Sequence, residues 1–214
     1  MKIKENIQRI KKEIGNTELV AVTKARSVEE IKEAIEGNVK IIGENKVQEA
    51  DKKYAYLKEY MKRHNVEFHF IGHLQSNKVK KAVEIFDIIQ SVDTLKLAED
   101  IDKSAKESKK MQRIFIQVNI GKENQKSGAM PEQIIDLSKK IKELNNVALE
   151  GLMCIPPFSD DPEHSRPYFK EMKKIFDKLD LKFLSMGMTN DYKIAVEEGS
   201  NMVRIGTGIF GERR

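Results

Sequence analysis

The sequence predicts a single α/β protein folded as a closed (β/α)₈ barrel with one extra helix at its N-terminus, spanning residues 1–214. Three observations lead there. Eight apolar runs of strand length recur along the chain, at 18–23, 39–43, 67–71, 85–90, 113–119, 148–154, 182–185 and 202–205. Seven of the intervals between them carry a helical pattern, and strand followed by helix, repeated, makes parallel βαβ units. The last run shows no edge character, so closure accounts for it better than an open sheet.

Each element has its own local reason. Residues 1–14 alternate isoleucines with charged residues at helical spacing and form the extra helix, packed over the floor or side of the barrel. Ser27, with Glu30 three residues on, starts the helix 28–36 after the first strand. Helical patterns then cover 46–64, 77–83, 94–109 and 131–144, with Asp93 and the Pro131-Glu132 pair as start signals. Asp160-Asp161-Pro162-Glu163 marks another helix start. The segment 71–78 reads either as a third loop over the barrel mouth or as a strand-to-helix turn with Ser76 as N-cap. No Pro/Gly/Ser-rich linker divides the chain.

Composition excludes several classes. No stretch approaches the roughly 20 apolar residues of a membrane helix. Met1-Lys2-Ile3-Lys4-Glu5 opens a polar amphipathic helix and not a secretory signal, so a cytoplasmic protein with no membrane partner is expected. The single cysteine, Cys154, forms no internal disulfide, and no Cys/His spacing suits zinc, so no metal is expected. The net charge is +5, but lysines and glutamates alternate along helical faces, and nucleic acid is not an expected partner.

The chemistry gathers at strand ends. Leu184-Ser185-Met186-Gly187-Met188-Thr189-Asn190 and Met202-Val203-Arg204-Ile205-Gly206-Thr207-Gly208 are apolar runs that stop at clusters of glycine and hydroxyl. Such loops let backbone N–H groups cradle a phosphate, and barrels often bind phosphate after strands 7 and 8. Lys24 directly follows the first strand, at the same mouth. A desolvated lysine loses its charge readily and attacks carbonyls. A ligand with both phosphate and aldehyde is pyridoxal 5′-phosphate.

Val22-Thr23-Lys24, Gly43-Glu44-Asn45-Lys46-Val47-Gln48-Glu49, the block Phe68 to Lys78, Gln117-Val118-Asn119-Ile120, Gly151-Leu152-Met153, Ser185-Met186-Gly187-Met188 and Val203-Arg204-Ile205-Gly206 together resemble the YggS/PROSC family of pyridoxal phosphate-binding proteins. The resemblance runs over nearly the whole chain. It implies a barrel similar to the N-terminal domain of alanine racemase. It implies that Lys24 is the Schiff-base residue and that Asn45 stands beside the cofactor ring. Thr189, in a place usually held by serine, Arg204, Gly206 and Thr207 are the remaining anchors. Arg204 supplies a permanent charge near the phosphate or the ring nitrogen, and Gly206 allows close backbone approach. Asn201 stands where threonine is common and Gly208 where alanine is common.

Other polar residues have structural readings. His69, between two phenylalanines on a strand, is expected as a satisfied interior or edge histidine, and His164 as part of a helix start. Met153, Met186 and Met188 are expected in core or cofactor packing; Gln125-Lys126-Ser127-Gly128 reads either as a mouth loop whose lysine meets a ligand or, as expected here, as a loop with a solvated lysine. The five tyrosines fall mostly in helical patterns, with Tyr192 in packing near the phosphate loop.

The expected function is that of a pyridoxal phosphate-binding protein. It would hold the cofactor as a Schiff base, contribute to its intracellular homeostasis with little or no catalysis, serve client enzymes that use it, and exist as a monomer. In alanine racemase the opposing tyrosine comes from a second, β-rich domain, and that domain is expected to be absent here. Two alternatives stand beside this reading: a pyridoxal phosphate-dependent, racemase-like enzyme, and a barrel for another phosphorylated metabolite in which Lys24 is only an electrostatic contact.

Overall fold

Eight parallel strands close into a barrel in chain order, β1 pairing with β8, in the computed structural model, which describes residues 2–212. The strands are β1 (Glu18–Val22), β2 (Ile41–Glu44), β3 (Glu67–Phe70), β4 (Ile88–Val92), β5 (Gln112–Val118), β6 (Val147–Cys154), β7 (Phe183–Ser185) and β8 (Met202–Ile205). Around them run α1 (Lys2–Ile14), α2 (Val28–Glu36), α3 (Val47–His64), α4 (Val79–Ile85), α5 (Leu95–Glu107), α6 (Ile134–Lys142), α7 (Arg166–Phe176), α8 (Tyr192–Glu197) and α9 (Thr207–Phe210). Short 3₁₀ turns at Ser76–Lys78, Pro131–Gln133 and Pro162–Ser165 lead into α4, α6 and α7. Residue 1 of the predicted first helix, and residues 213 and 214, lie outside the described residues.

The strands read as apolar runs because both of their faces are covered. Alternate residues divide between two cores. Leu19, Ala21, Ile42, Phe68, Phe70, Ile114, Ile116, Leu152 and Val203 pack outward against the helices. Val20, Ile41, Ile88, Phe115, Met153 and Met202 fill the barrel itself. By the same alternation His69, Gln90, Ser185 and Arg204 also point inward, and all four are buried.

Several predicted boundaries move. Residues 85 and 86 end a helix and do not start a strand: Val79, Ala82, Val83 and Ile85 bury one helical face, and the Phe86 ring packs 4.6 Å from that of Phe68. The fourth strand therefore begins at Ile88, and the second at Ile41. Thr94, not Asp93, caps α5, its hydroxyl accepting from the Leu97 N–H at 3.2 Å. Ser27 and Glu30 form the predicted capping box. Asp161 caps the turn before α7 by accepting from the Glu163 N–H. Helix α1 buries Ile7, Ile10 and Ile14 on the side of the barrel, against α2, α8 and α9. Asn6 ties it to the carbonyl of Ile209 at 2.9 Å.

Candidate functional site

A cavity of about 560 Å³ opens at the C-terminal ends of β1, β7 and β8, within the usual range of about 300–1,000 Å³ for small-molecule sites. Val22, Lys24, Arg204, Gly206, Thr207 and Thr189 line its barrel side. The loop after β6, residues 155–159, covers the opposite side together with Lys126. Five of the six predicted cofactor residues thus meet in one space. The sixth, Asn45, is half-buried just after β2 and is not among the lining residues. Its backbone passes close to Gly72, where a Cβ would come within 2.1 Å of the Asn45 carbonyl oxygen. The segment 71–78 also stays off the lining, and Ser76 caps nothing, since the 3₁₀ turn begins after Gln75 with no side-chain bond.

Lys24 is half-buried, in a turn that begins where β1 stops. Its two neighbours are held by charged groups from α3. The Lys53 ammonium donates to the Thr23 carbonyl at 2.7 Å, and Glu49 accepts from the Ala25 N–H at 2.7 Å. Ala25 has φ 57°, a left-handed conformation that a non-glycine residue adopts at a cost of order 1 kcal/mol. Lys53 also bonds Glu44 and Glu49, each at 2.7 Å, and the Thr23 hydroxyl donates to Glu44 at 2.7 Å. Burial pushes the Glu44 carboxyl above the usual carboxylate range, with Lys53 opposing. Burial also acts upward on Glu49, but Lys53 and the Ala25 N–H outweigh it and hold that carboxyl low.

The glycine–hydroxyl loops after β7 and β8 fold as their residues require. Gly187 has φ +96°, and a Cβ there would meet the Ala195 Cβ at 2.5 Å, so only glycine serves. Asp191 closes the loop, accepting from the Met188 N–H at 2.7 Å and from the Ser165 hydroxyl at 3.0 Å. These bonds bring the Thr189 hydroxyl to 3.2 Å from that of Thr207 and 3.4 Å from the Gly208 N–H. Gly206 differs from Gly187. A Cβ at Gly206 would meet only Val22, at 3.5 Å, which is ordinary contact. Packing does not demand glycine there; its bare Cα leaves space to the cavity.

Arg204 is 3% exposed. It donates from Nη1 to Ser185 Oγ at 2.7 Å and from Nη2 to the Cys154 carbonyl at 2.8 Å. Burial lowers its pKa from the ordinary arginine value. Cys154 itself is buried, and burial pushes its thiol up to about 12.

The remaining predictions resolve individually. Lys126 departs from the solvated loop lysine expected: its ammonium lies against the cavity, 2.5 Å from Glu123 and 3.3 Å from the Pro156 carbonyl. This is the alternative reading of 125–128 as a mouth loop whose lysine meets a ligand; the partner loop, 30 residues on, is set by the tertiary structure. His69 is a satisfied interior histidine, bonded to Glu67 and Gln90. His164 sits in the 3₁₀ turn before α7 and bonds Ser159 at 2.7 Å. Met153 and Met186 are in the core, and Met188 lines the cavity. Tyr192 packs between α8 and α1, its hydroxyl donating to Glu13, and burial with that bond raises its pKa to about 12. Among the described residues no group of acidic, histidine or cysteine side chains is arranged to hold a metal ion, and no helix is long and apolar enough to cross a membrane.

Residues 1–214 match the model of the alanine racemase N-terminal domain. A protein of Aquifex aeolicus named pyridoxal phosphate homeostasis protein is 40% identical over 223 residues, covering all of this chain and 96% of that one. PipY of Synechococcus elongatus PCC7942, solved with pyridoxal phosphate bound, superposes with a TM-score of 0.89 at 33% identity, covering 98% of this chain and all of PipY. Alanine racemase of Clostridium difficile shares the fold, with a TM-score of 0.79 at 18% identity, over 99% of this chain and 59% of the racemase.

Proposed function

The chain belongs to the family of alanine racemase N-terminal domains whose members include the pyridoxal phosphate homeostasis proteins, and from that membership we propose that it binds pyridoxal 5′-phosphate at Lys24 and serves the cell's handling of that cofactor. The observation that carries the reading is the convergence of Lys24, Arg204, Thr189 and Thr207 on one cavity at the barrel mouth. The residues present fit the group. A primary amine faces the same space as a buried guanidinium and two hydroxyls, and the bare Cα of Gly206 leaves room between them.

When bound, the cofactor supplies an aldehyde carbon and an anionic phosphate. The Lys24 amine would hold the group by condensing reversibly with its aldehyde, with release of water. Thr189, Thr207 and nearby backbone N–H groups hold the phosphate by hydrogen bonds. Arg204 adds a charge that is never lost, worth more in a buried site than at the surface. Asn45 keeps its proposed place beside the cofactor ring on the family resemblance alone, since it stands outside the cavity lining.

The reading is of a binding protein with little or no turnover. Two-base racemisation needs an acid–base group on each face of the substrate's α-carbon. None of the tyrosines lines the cavity: Tyr54, Tyr56 and Tyr60 lie on α3, Tyr168 on α7 and Tyr192 against α1. We place the protein in the cytoplasm as a single-domain monomer that supplies client enzymes. The monomer is supported by the scatter of the most exposed large apolar residues, Tyr56 lying on α3 and Met111 in the connection before β5, apart from Phe158 and Met188 at the mouth.

The test is the purified protein with added cofactor. A yellow product, fixed by borohydride and mapped by peptide mass to Lys24, is the expected result. Label recovered chiefly on Lys78 or Lys126 overturns the assignment. No colour at all returns the site to an aldehyde-free phosphorylated metabolite.

A further inference from the structure

The barrel interior is not wholly apolar. A file of polar side chains crosses it from mouth to floor, and the proposed role of Arg204 does not account for it. Arg204 Nη1 reaches Ser185 Oγ at 2.7 Å, and Ser185 Oγ reaches Gln90 Oε1 at 2.7 Å. Gln90 Nε2 lies 2.9 Å from His69 Nδ1, and His69 Nε2 lies 2.9 Å from Glu67 Oε2. Glu67, where β3 begins, also accepts from Arg113 Nη1 at 2.8 Å, and Arg113 Nε donates to a second carboxylate, that of Glu150, at 2.8 Å. Ser185, Gln90 and His69 are each 0% exposed.

The direction of every bond in this file is forced. A guanidinium only donates, so Ser185 Oγ accepts and its one proton passes on to Gln90 Oε1. With its oxygen used, the Gln90 amide nitrogen donates to His69 Nδ1. That fixes the proton on Nε2, which donates to the ionised Glu67. Burial keeps the His69 ring neutral, as an accepting Nδ1 requires. Reversing any one bond breaks its neighbour, so the file has a single orientation.

The file also answers an electrostatic need. Arg204 is a permanent cation in the barrel; among the described residues no carboxylate lies at ion-pair distance from it, and Asp191, in the lining of the same cavity, acts on it only from further off. An unpaired buried charge is strongly disfavoured. Each dipole of the file turns its negative end toward Arg204, and a carboxylate stands at the far end.

We propose that Ser185, Gln90 and His69 are positioning residues for Arg204: anchored on Glu67 at the barrel floor, they hold the guanidinium in the orientation in which it meets an anionic ligand at the mouth. The proposal rests on the reading of Arg204 as a ligand contact. It extends the binding machinery to residues that touch no ligand, one of them at the opposite end of the barrel.

A double-mutant cycle separates positioning from plain packing. Binding of pyridoxal phosphate to the full chain is measured by absorbance for Ser185→Ala, Gln90→Met and Glu67→Gln, each in the wild-type and the Arg204→Ala backgrounds, with thermal melting alongside. Losing one hydrogen bond of this kind is worth roughly three- to tenfold. Ser185→Ala and Gln90→Met are expected to weaken binding by about that factor in the wild type, and Glu67→Gln by about twofold. In the Arg204→Ala background all three are expected to change binding by less than about twofold, because the residue through which they act is gone. A residue that merely stabilises the fold weakens binding equally in both backgrounds, and that additive result overturns the proposal. So does a Ser185→Ala protein that binds as wild type. Ser185→Ala removes only a hydroxyl, so it decides the matter if Gln90→Met does not fold. Failure of the underlying reading looks different: the wild type then gives no coloured product, or Arg204→Ala binds unchanged, and the proposal falls with it.

Discussion

Replacing Lys53 by methionine is expected to cost stability in a pH-dependent way that the structure sets. Lys53 is 11% exposed at its side chain, Glu44 is fully buried, and the ammonium sits 2.7 Å from Glu44, Glu49 and the Thr23 carbonyl. Methionine keeps most of the packing and removes the charge. Removing one partner of a buried pair leaves the other uncompensated, at about 3–5 kcal/mol. Glu44 has one way out, which is to take a proton. With an ordinary glutamate value of about 4.3 in the unfolded chain, holding that proton at pH 7 costs about 3.7 kcal/mol, and at pH 5 about 1 kcal/mol. The lost bond to Thr23 adds about 1 kcal/mol at either pH. Glu49, 30% exposed at its side chain, turns to water. The sum is at most about 4–5 kcal/mol at pH 7 and about 2 kcal/mol at pH 5, since burial already raises Glu44 in the wild type and that share cancels. At roughly 2–4 °C per kcal/mol for a chain of this size, the melting point at pH 7 drops by up to about 20 °C.

The sign follows from Glu44. In the variant its folded-state pKa is raised above the unfolded value, so stability is lost as pH rises and regained as it falls. Urea denaturation of both proteins at pH 7 and pH 5 measures the two differences. A loss below about 1 kcal/mol at pH 7, or one equal at both pH values, would refute the reasoning, because a buried carboxylate left without its cation produces neither.

Three further outcomes are expected. Arg204→Ala should weaken pyridoxal phosphate binding by roughly ten- to a hundredfold, the worth of one charge-assisted contact; comparison with pyridoxal in a spectral titration shows whether the phosphate is the group lost, and an unchanged preference for the phosphorylated form places the phosphate elsewhere. Cofactor-loaded protein in deuterated water should exchange the α-hydrogen of L- and D-alanine slowly without racemising them, and racemisation at about 1–10³ s⁻¹ that disappears in Lys24→Ala would make this an enzyme. Ultraviolet titration should show one tyrosine ionising near pH 12 that is missing from Tyr192→Phe; since a raised folded pKa stabilises the neutral form, stability at this site holds below pH 10 and is lost between about 10 and 12.

What the chain determined by itself is whatever depends on near neighbours. The eight apolar runs, the capping box at Ser27, the lysine at the end of β1 and the glycine–hydroxyl loops after β7 and β8 are local patterns, and they stand in the structure where the sequence implies. Boundaries failed where one local pattern served two elements, as at residues 85 and 86, whose apolar side chains complete a helix before the strand begins. Tertiary structure alone decided which interior residues meet. Alternation says that His69, Gln90, Ser185 and Arg204 point inward, but their joining into one file depends on the register of β3, β4, β7 and β8, residues up to 95 positions apart. The same holds for Lys126 reaching the cavity and Asn45 standing off it. Register is summed around a closed barrel, and no stretch of sequence short enough to read by its own pattern contains that sum.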